Sequence, residues 1–147
     1  WMTDQTPAFV GNEPDPTARP LKLEPPKNGT VVRIIEFGPE GEWLQKIDTN
    51  DTKIAWGALG TDTASTNKTG GAKHPFMHRT ESVDYALVLE GEITIVLDNE
   101  EVLLKTGDFL VERGTNHAWA NRSGKVCRML FVLIDGKFDP EISKHFD

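Results

Sequence analysis

The residues of this chain best suited to proton transfer or metal binding are its histidines and the carboxylates near them. His74, His78 and His117 lie in or beside segments rich in branched and aromatic residues, whereas His145 sits in a polar tail. Strand parity decides which of them can meet. Residues two apart in an extended strand share a face, so His78, Thr80 and Asp84 point one way. His117, Trp119 and Asn121 share a face by the same rule. If both faces line one interior, two imidazoles and a carboxylate converge there. Such a set, with open positions, suits Fe(II), Mn or Zn. Without metal it suits proton transfer, because imidazole titrates near neutral pH and a carboxylate can fix its tautomer. His74 lies an even four residues before His78, but Pro75 interrupts the strand between them. Tyr85 adjoins Asp84 and so points to the opposite face. Arg79 and Arg113 also fall one residue off the inner face, and Arg33 and Glu36 read as surface or ion-pair residues.

The elements that must position these side chains are strands. Segments 31–37, 53–59, 84–90, 92–98, 101–105, 109–112, 117–121 and 127–135 are short, β-branched or aromatic, and bounded by Gly, Asn and Asp. Turn signals every 8–12 residues or so indicate a sandwich or barrel. Ile93, Ile95 and Leu97 alternate with Glu92, Thr94 and Asp98, the pattern of a half-buried antiparallel strand. Cys127 shares a face with Met129, Phe131 and Leu133 and reads as a small buried hydrophobe. Residues 60–71 form a long polar loop directly before His74, read as a flexible loop or a mobile lid. Asp139 is placed to cap one helical turn in the tail.

Six of the nine prolines fall within the first 26 residues. Proline lacks the backbone donor and fixes φ, so residues 1–29 read as an extended Pro-rich arm and 30–147 as one domain. Two readings stand side by side, a disordered tail or an arm laid across a neighbouring surface with Leu21 and Leu23 as its apolar anchors. Trp1 ahead of Met2 reads as an expression remnant.

With both motifs in view, the chain resembles a small single-domain cupin of the RmlC-like kind. His78-Arg79-Thr80-Glu81-Ser82-Val83-Asp84, followed by Gly91, falls on the family's first motif. Gly107-Asp108, then Glu112-Arg113-Gly114, His117 and Asn121, fall on its second. The resemblance implies an all-β fold, a cupin-type double-stranded β-helix or jelly-roll barrel. It implies His78, Asp84 and His117 as metal ligands, around one divalent metal (Fe, Mn, Zn or Ni), with a metal-free barrel as the alternative. Three departures stand out. Thr80 occupies the place of the second motif histidine, Asp84 that of a glutamate, and Glu112 that of a proline.

The expected function is a small-molecule enzyme, foremost a lyase working by dehydration or decarboxylation-type proton transfer on a carbonyl-bearing, aromatic or polyketide-like metabolite. His78, His117 and Asp84 are its catalytic candidates. Thr80, Trp119, His74, Asn121, Met77 and Val88 are its candidate substrate contacts. The alternatives are a non-haem Fe(II) dioxygenase using His78, Asp84 and His117, and a non-catalytic ligand-binding barrel. A net charge of −7 and a pI near 5.1 argue against nucleic-acid or anionic-membrane partners. A single Cys, no apolar run of about eighteen residues and no signal-like start point to a cytoplasmic protein. A homodimer formed through exposed sheet edges is the expected assembly.

Overall fold

The computed structural model describes residues 1–61 and 63–146. Among the described residues, eight strands form two facing antiparallel sheets. They are β1 (Met2–Thr3), β2 (Thr30–Phe37), β3 (Ser82–Glu90), β4 (Glu92–Leu97), β5 (Glu101–Lys105), β6 (Phe109–Arg113), β7 (His117–Ala120) and β8 (Cys127–Asp135). The larger sheet runs β1-β2-β8-β3-β6 and the smaller β5-β4-β7. A left-handed Gly91 makes the tight turn between β3 and β4, where a Cβ would meet the Val126 carbonyl oxygen at 3.0 Å. The two sheets enclose a core of Ala86, Val88, Ile93, Ile95, Cys127 and Met129, among others. Helix α2 (Pro140–Ser143) is capped by Asp139 as expected, its carboxylate accepting the Glu141 N–H at 2.8 Å. Among the described residues no helix is long and apolar enough to cross a membrane.

Register orders the larger sheet into rungs that run across four strands. On the inner side one rung is Val31, Leu133, Asp84 and Glu112, and the next is Arg33, Phe131, Ala86 and Leu110. On the outer side one rung is Val32, Val132, Tyr85 and Val111, and the next is Ile34, Leu130, Leu87 and Phe109. The outer pair is closed at one end by Glu36, Arg128 and Glu90, and at the other by Thr30, Ile134, Val83 and Arg113.

Segment 53–59 departs from the strand expectation. Residues 53–58 belong to helix α1 (Thr49–Ala58), and Leu59 is its C-cap. Asp48 caps it, its carboxylate accepting the Asn50 and Asp51 N–H groups at 2.8 and 2.9 Å, while Asp51 reaches back to the Asp48 N–H at 3.2 Å. This capping box supplies partners for backbone donors that a helix start leaves unpaired. Thr52 and Trp56, four residues apart, form its buried face. Branched residues near Gly57 mimic a strand, and the cap outweighs them.

The arm lies against its own barrel. Leu23 N–H donates to the Leu59 carbonyl at 3.0 Å. The Arg33 guanidinium donates to the Lys22 carbonyl at 2.8 Å and also to that of Leu23. Trp1, read as a remnant, forms backbone hydrogen bonds with Val32. Within the long polar loop, Asp62 lies outside the described residues. Ala64 to Thr66 are pinned by backbone bonds to Met77 and Arg79, and Ser65 bridges His78.

Candidate active site

The inner rungs of β3, β6 and β8 and the inward residues of β7 line one cavity of about 640 Å³. Trp43, Leu44, Trp56, Leu59 and the arm residues Leu21 and Leu23 form its rim. A cavity of this size, mostly apolar with a few polar groups, fits a small-molecule site.

His78 and His117 are adjacent on its wall. Their backbones bridge through N–H to O bonds of 2.8 and 2.9 Å, and their ring centroids lie 4.2 Å apart. Each ring is held by a carbonyl two residues upstream. His78 Nδ1 donates to Phe76 O at 3.0 Å, and His117 Nδ1 donates to Thr115 O at 2.9 Å. A carbonyl can only accept, so Nδ1 carries the proton and each neutral ring keeps a lone pair on Nε2. Burial keeps both rings neutral: it lowers His78 to about 4 and His117 well below the usual imidazole range. Trp56 packs on His78 at 4.6 Å between centroids.

Asp84 and Glu112 face each other across β3 and β6, and both are buried. Asp84 Oδ1 and both Glu112 oxygens have no hydrogen-bond partner among the described residues. Glu112 Oε1 lies 3.1 Å from His117 Nδ1, but that N–H is directed at Thr115, so the contact is proximity without a hydrogen bond. Burial, and then the Asp84 charge, pushes Glu112 up to about 8. Burial also raises Asp84 to about 6, against the opposing effects of Ser82 and Arg33. Two carboxyls placed this way hold about one proton between them at neutral pH. Arg33 itself is lowered by burial and supported by Asp84.

Parity brings His78, Thr80, Asp84, His117 and Trp119 to the cavity, even though β3 begins only at Ser82. The other candidates are placed differently. Val88 is buried in the core between the sheets, and Met77 packs with Val96, Ala118 and Ala120; neither lines the cavity. Asn121 reaches the cavity, but its side chain is spent on the fold. Its amide donates to the Phe37 and Lys125 carbonyls, both at 2.7 Å, and its oxygen accepts from the Ser123 N–H and hydroxyl. His74 is spent as well: Nδ1 accepts the Phe76 N–H at 3.1 Å, leaving Nε2–H for Glu40 at 2.9 Å. Thr80 bonds the Ser82 hydroxyl at 2.8 Å.

The expected metal ligands do not form a metal centre. Among the described residues no group of three or more His, Cys, Asp or Glu is disposed to hold an ion. With Thr80 in place of an imidazole and His74 committed to Glu40, two histidines remain, and the shorter Asp84 lies in the rung with Glu112. The donor set therefore does not fit the implied metal.

Glu112 and Trp56 went unassigned from sequence, and Arg33, read there as a surface or ion-pair residue, lines the cavity. A charged Arg33 alternating with Val31, Ile35 and Phe37 was the available signal for one of them. Glu112 alternates with Leu110, but apolar Phe109 and Val111 on the other parity made the outer face look like the inner one. Trp56 was hidden by the misread helix.

The two sheets thus enclose paired imidazoles and paired carboxyls at one mostly apolar cavity. Residues 66–133, a little under half of the chain, match the cupin domain model. It is 57% identical to phomopsin biosynthesis cluster protein C' of Diaporthe leptostromiformis, over 93% of this chain and 59% of that protein. It is 28% identical to a cupin-domain-containing oxidoreductase (srdD) of Neurospora crassa, over 93% of this chain and 57% of that protein. A second protein of that description (fogC), from Aspergillus ruber, is 45% identical over 44% of this chain and 34% of its own length. The chain thus spans a little over half the length of the first two relatives.

Proposed function

We propose that this barrel is the active-site domain of a metabolic enzyme that moves a proton on an apolar, carbonyl-bearing small molecule. One observation carries the reading: two buried imidazoles, each fixed as the Nδ1–H tautomer, leave Nε2 lone pairs at one apolar cavity beside two buried carboxyls that burial pushes toward the protonated form. In the step proposed, an imidazole Nε2 takes a proton from the carbon next to the carbonyl, and the carboxyl pair gives one to the carbonyl oxygen. The enol so formed can return the proton elsewhere or expel a leaving group, which covers isomerase and lyase outcomes. Trp119, edge-on to His117 and Phe131, supports an aromatic or conjugated substrate. The relatives named for a phomopsin cluster support a place in secondary metabolism.

The names of the Neurospora and Aspergillus relatives favour a second reading, an oxidoreductase. One experiment weighs the two. Incubation with 1-phenyl-2-propanone in D₂O, followed by NMR, is expected to show deuterium entering the α-carbon faster than in buffer. His78→Gln and His117→Gln are each expected to slow it by about 100-fold or more. An unchanged rate in both variants sinks the acid–base reading. Oxygen uptake or nicotinamide oxidation on the same ketone, with no α-exchange, favours the oxidoreductase.

A further inference from the structure

One segment lines the cavity without belonging to either sheet. Residues 19–26 run along the rim, where Leu21 and Leu23 face the cavity. The segment is tied down on both sides. Upstream, β1 pairs with β2, Met2 opposite Val31 and Thr3 opposite Thr30. Downstream, the Gly29 N–H donates to Pro26 O at 2.8 Å and the Asn28 N–H to Asp135 Oδ2 at 2.7 Å. Between these ties, and among the described residues, few hydrogen bonds hold it to the barrel. The Arg33 guanidinium donates to the Lys22 and Leu23 carbonyls, and the Leu23 N–H donates to Leu59 O at 3.0 Å. The Glu24 carboxylate accepts the Thr61 hydroxyl at 3.3 Å. Pro20, Pro25 and Pro26 carry no N–H and fix φ, so the segment stays stiff and cannot pair with itself. We infer that residues 19–26 are a strap that lifts to admit a ligand and closes over it, latched by Arg33, with Leu21 and Leu23 selecting what fits.

Arg33 is placed to be the latch. It stands in the inner rung with Phe131 and lines the cavity, so it grips the strap from the wall beneath. Two of its nitrogens take the carbonyls of consecutive residues, a task that suits the rigid fork of a guanidinium. Hydrogen bonds from a charged donor are roughly twice as strong as neutral ones. The strap's apolar hold is weaker, since Leu21 is 53% exposed. A segment with few buried contacts opens at low free-energy cost. A ligand that reaches Leu21 and Leu23 gains those contacts only when the strap is shut, so its binding favours the shut form. The two leucines therefore reward an apolar ligand large enough to touch the rim. Closure of this kind serves any chemistry the cavity performs.

Limited trypsin cleavage reads the strap directly. The Lys22–Leu23 bond has its carbonyl on Arg33 and its N–H on Leu59, so both must let go before trypsin cuts there. Arg128–Met129, inside β8 and paired on both sides, reports unfolding of the barrel. In the full chain, Lys22–Leu23 is expected to be cut faster than Arg128–Met129. N-phenyl-1-naphthylamine, a neutral apolar probe that fluoresces when buried, should slow that cut about tenfold at ten times its Kd. Arg33→Lys keeps the charge but loses the fork, and should speed the cut about tenfold with Arg128–Met129 unchanged. Leu21→Ala and Leu23→Ala should each raise the Kd of the probe several-fold.

The probe measurement needs no variant. A chain that takes up no probe overturns the strap, and so does one cut equally fast with the probe bound. If Arg33→Lys leaves the cut unchanged, or speeds both cuts alike, Arg33 is not the latch. Probe affinity indifferent to both leucine variants overturns their role in selection. None of these readouts involves turnover, so the α-exchange experiment stands or falls separately.

Discussion

The two faces of the five-stranded sheet invert the usual rule. Along β3, buried Asp84 alternates with exposed Tyr85; along β6, buried Glu112 alternates with exposed Phe109 and Val111. Ordinary patterning would put the aromatics inside and the carboxylates in water. Burying a carboxyl with no hydrogen-bond partner costs free energy, and so does leaving aromatic surface in contact with water. A strand that does both on adjacent residues has been shaped by something other than its own stability. The inner departure lines a cavity and the outer one faces a surface, so each marks a place where the molecule meets something else.

The sharpest way to break that comparison is to put one charge on each face of the same strand. Met129 and Leu130 are neighbours on β8, the first fully buried in the core and the second turned outward. Met129→Glu is expected to cost more than about 4 kcal/mol and leave the chain unfolded by circular dichroism. Leu130→Glu is expected to fold. If both fold with similar melting temperatures, the two sides of this sheet differ less than their burial implies.

A pH series sharpens the inner half. Glu112 is raised from 4.5 to about 8, so the folded state binds that proton more tightly than the unfolded chain. Its contribution is present below about 4.5 and lost as pH rises through 8, so stability falls across that window. Glu112→Gln removes the slope. At pH 8 the variant should melt about 5 °C above the parent, and the two should converge near pH 4.5. Parallel curves would mean that Glu112 is not held as a buried acid. His78 acts in the opposite sense: lowered from 6.5 to about 4, it takes stability away as pH falls between those values. The variant comparison separates the two slopes.

The smallest effect concerns the rim that covers the inner face. Asp48→Ala removes the cap of α1 and should cost about 1 kcal/mol. Because Trp56 of that helix packs on His78, 1-phenyl-2-propanone should also bind more weakly, measured by titration calorimetry. A loss of stability with unchanged ketone affinity would separate the helix from the site.

The strand segments of residues 82–135, the inward direction of His78, Thr80, Asp84, His117 and Trp119, and the cupin pattern could all be read from the chain itself. Strand parity and turn residues are local properties, and a two-residue period survives without knowledge of neighbours. The α1 cap was equally local, in Asp48-Thr49-Asn50-Asp51, and was masked by the branched residues that follow it. What the chain could not reveal was pairing across strands and the hydrogen bonds that consume side chains. His74 and Asn121 have the composition of site residues, and only contacts to Glu40, Phe37 and Lys125, far away in sequence, commit them to the fold. Glu112 stands in the place of a motif proline until register sets it opposite Asp84 and beside His117. Two histidines and one aspartate were legible from the sequence. That they share one buried pocket with Glu112, the imidazoles held as one tautomer and the carboxyls shifted toward their protonated forms, was decided by the tertiary structure, because tautomer and charge depend on which groups burial brings within reach and which it leaves without partners.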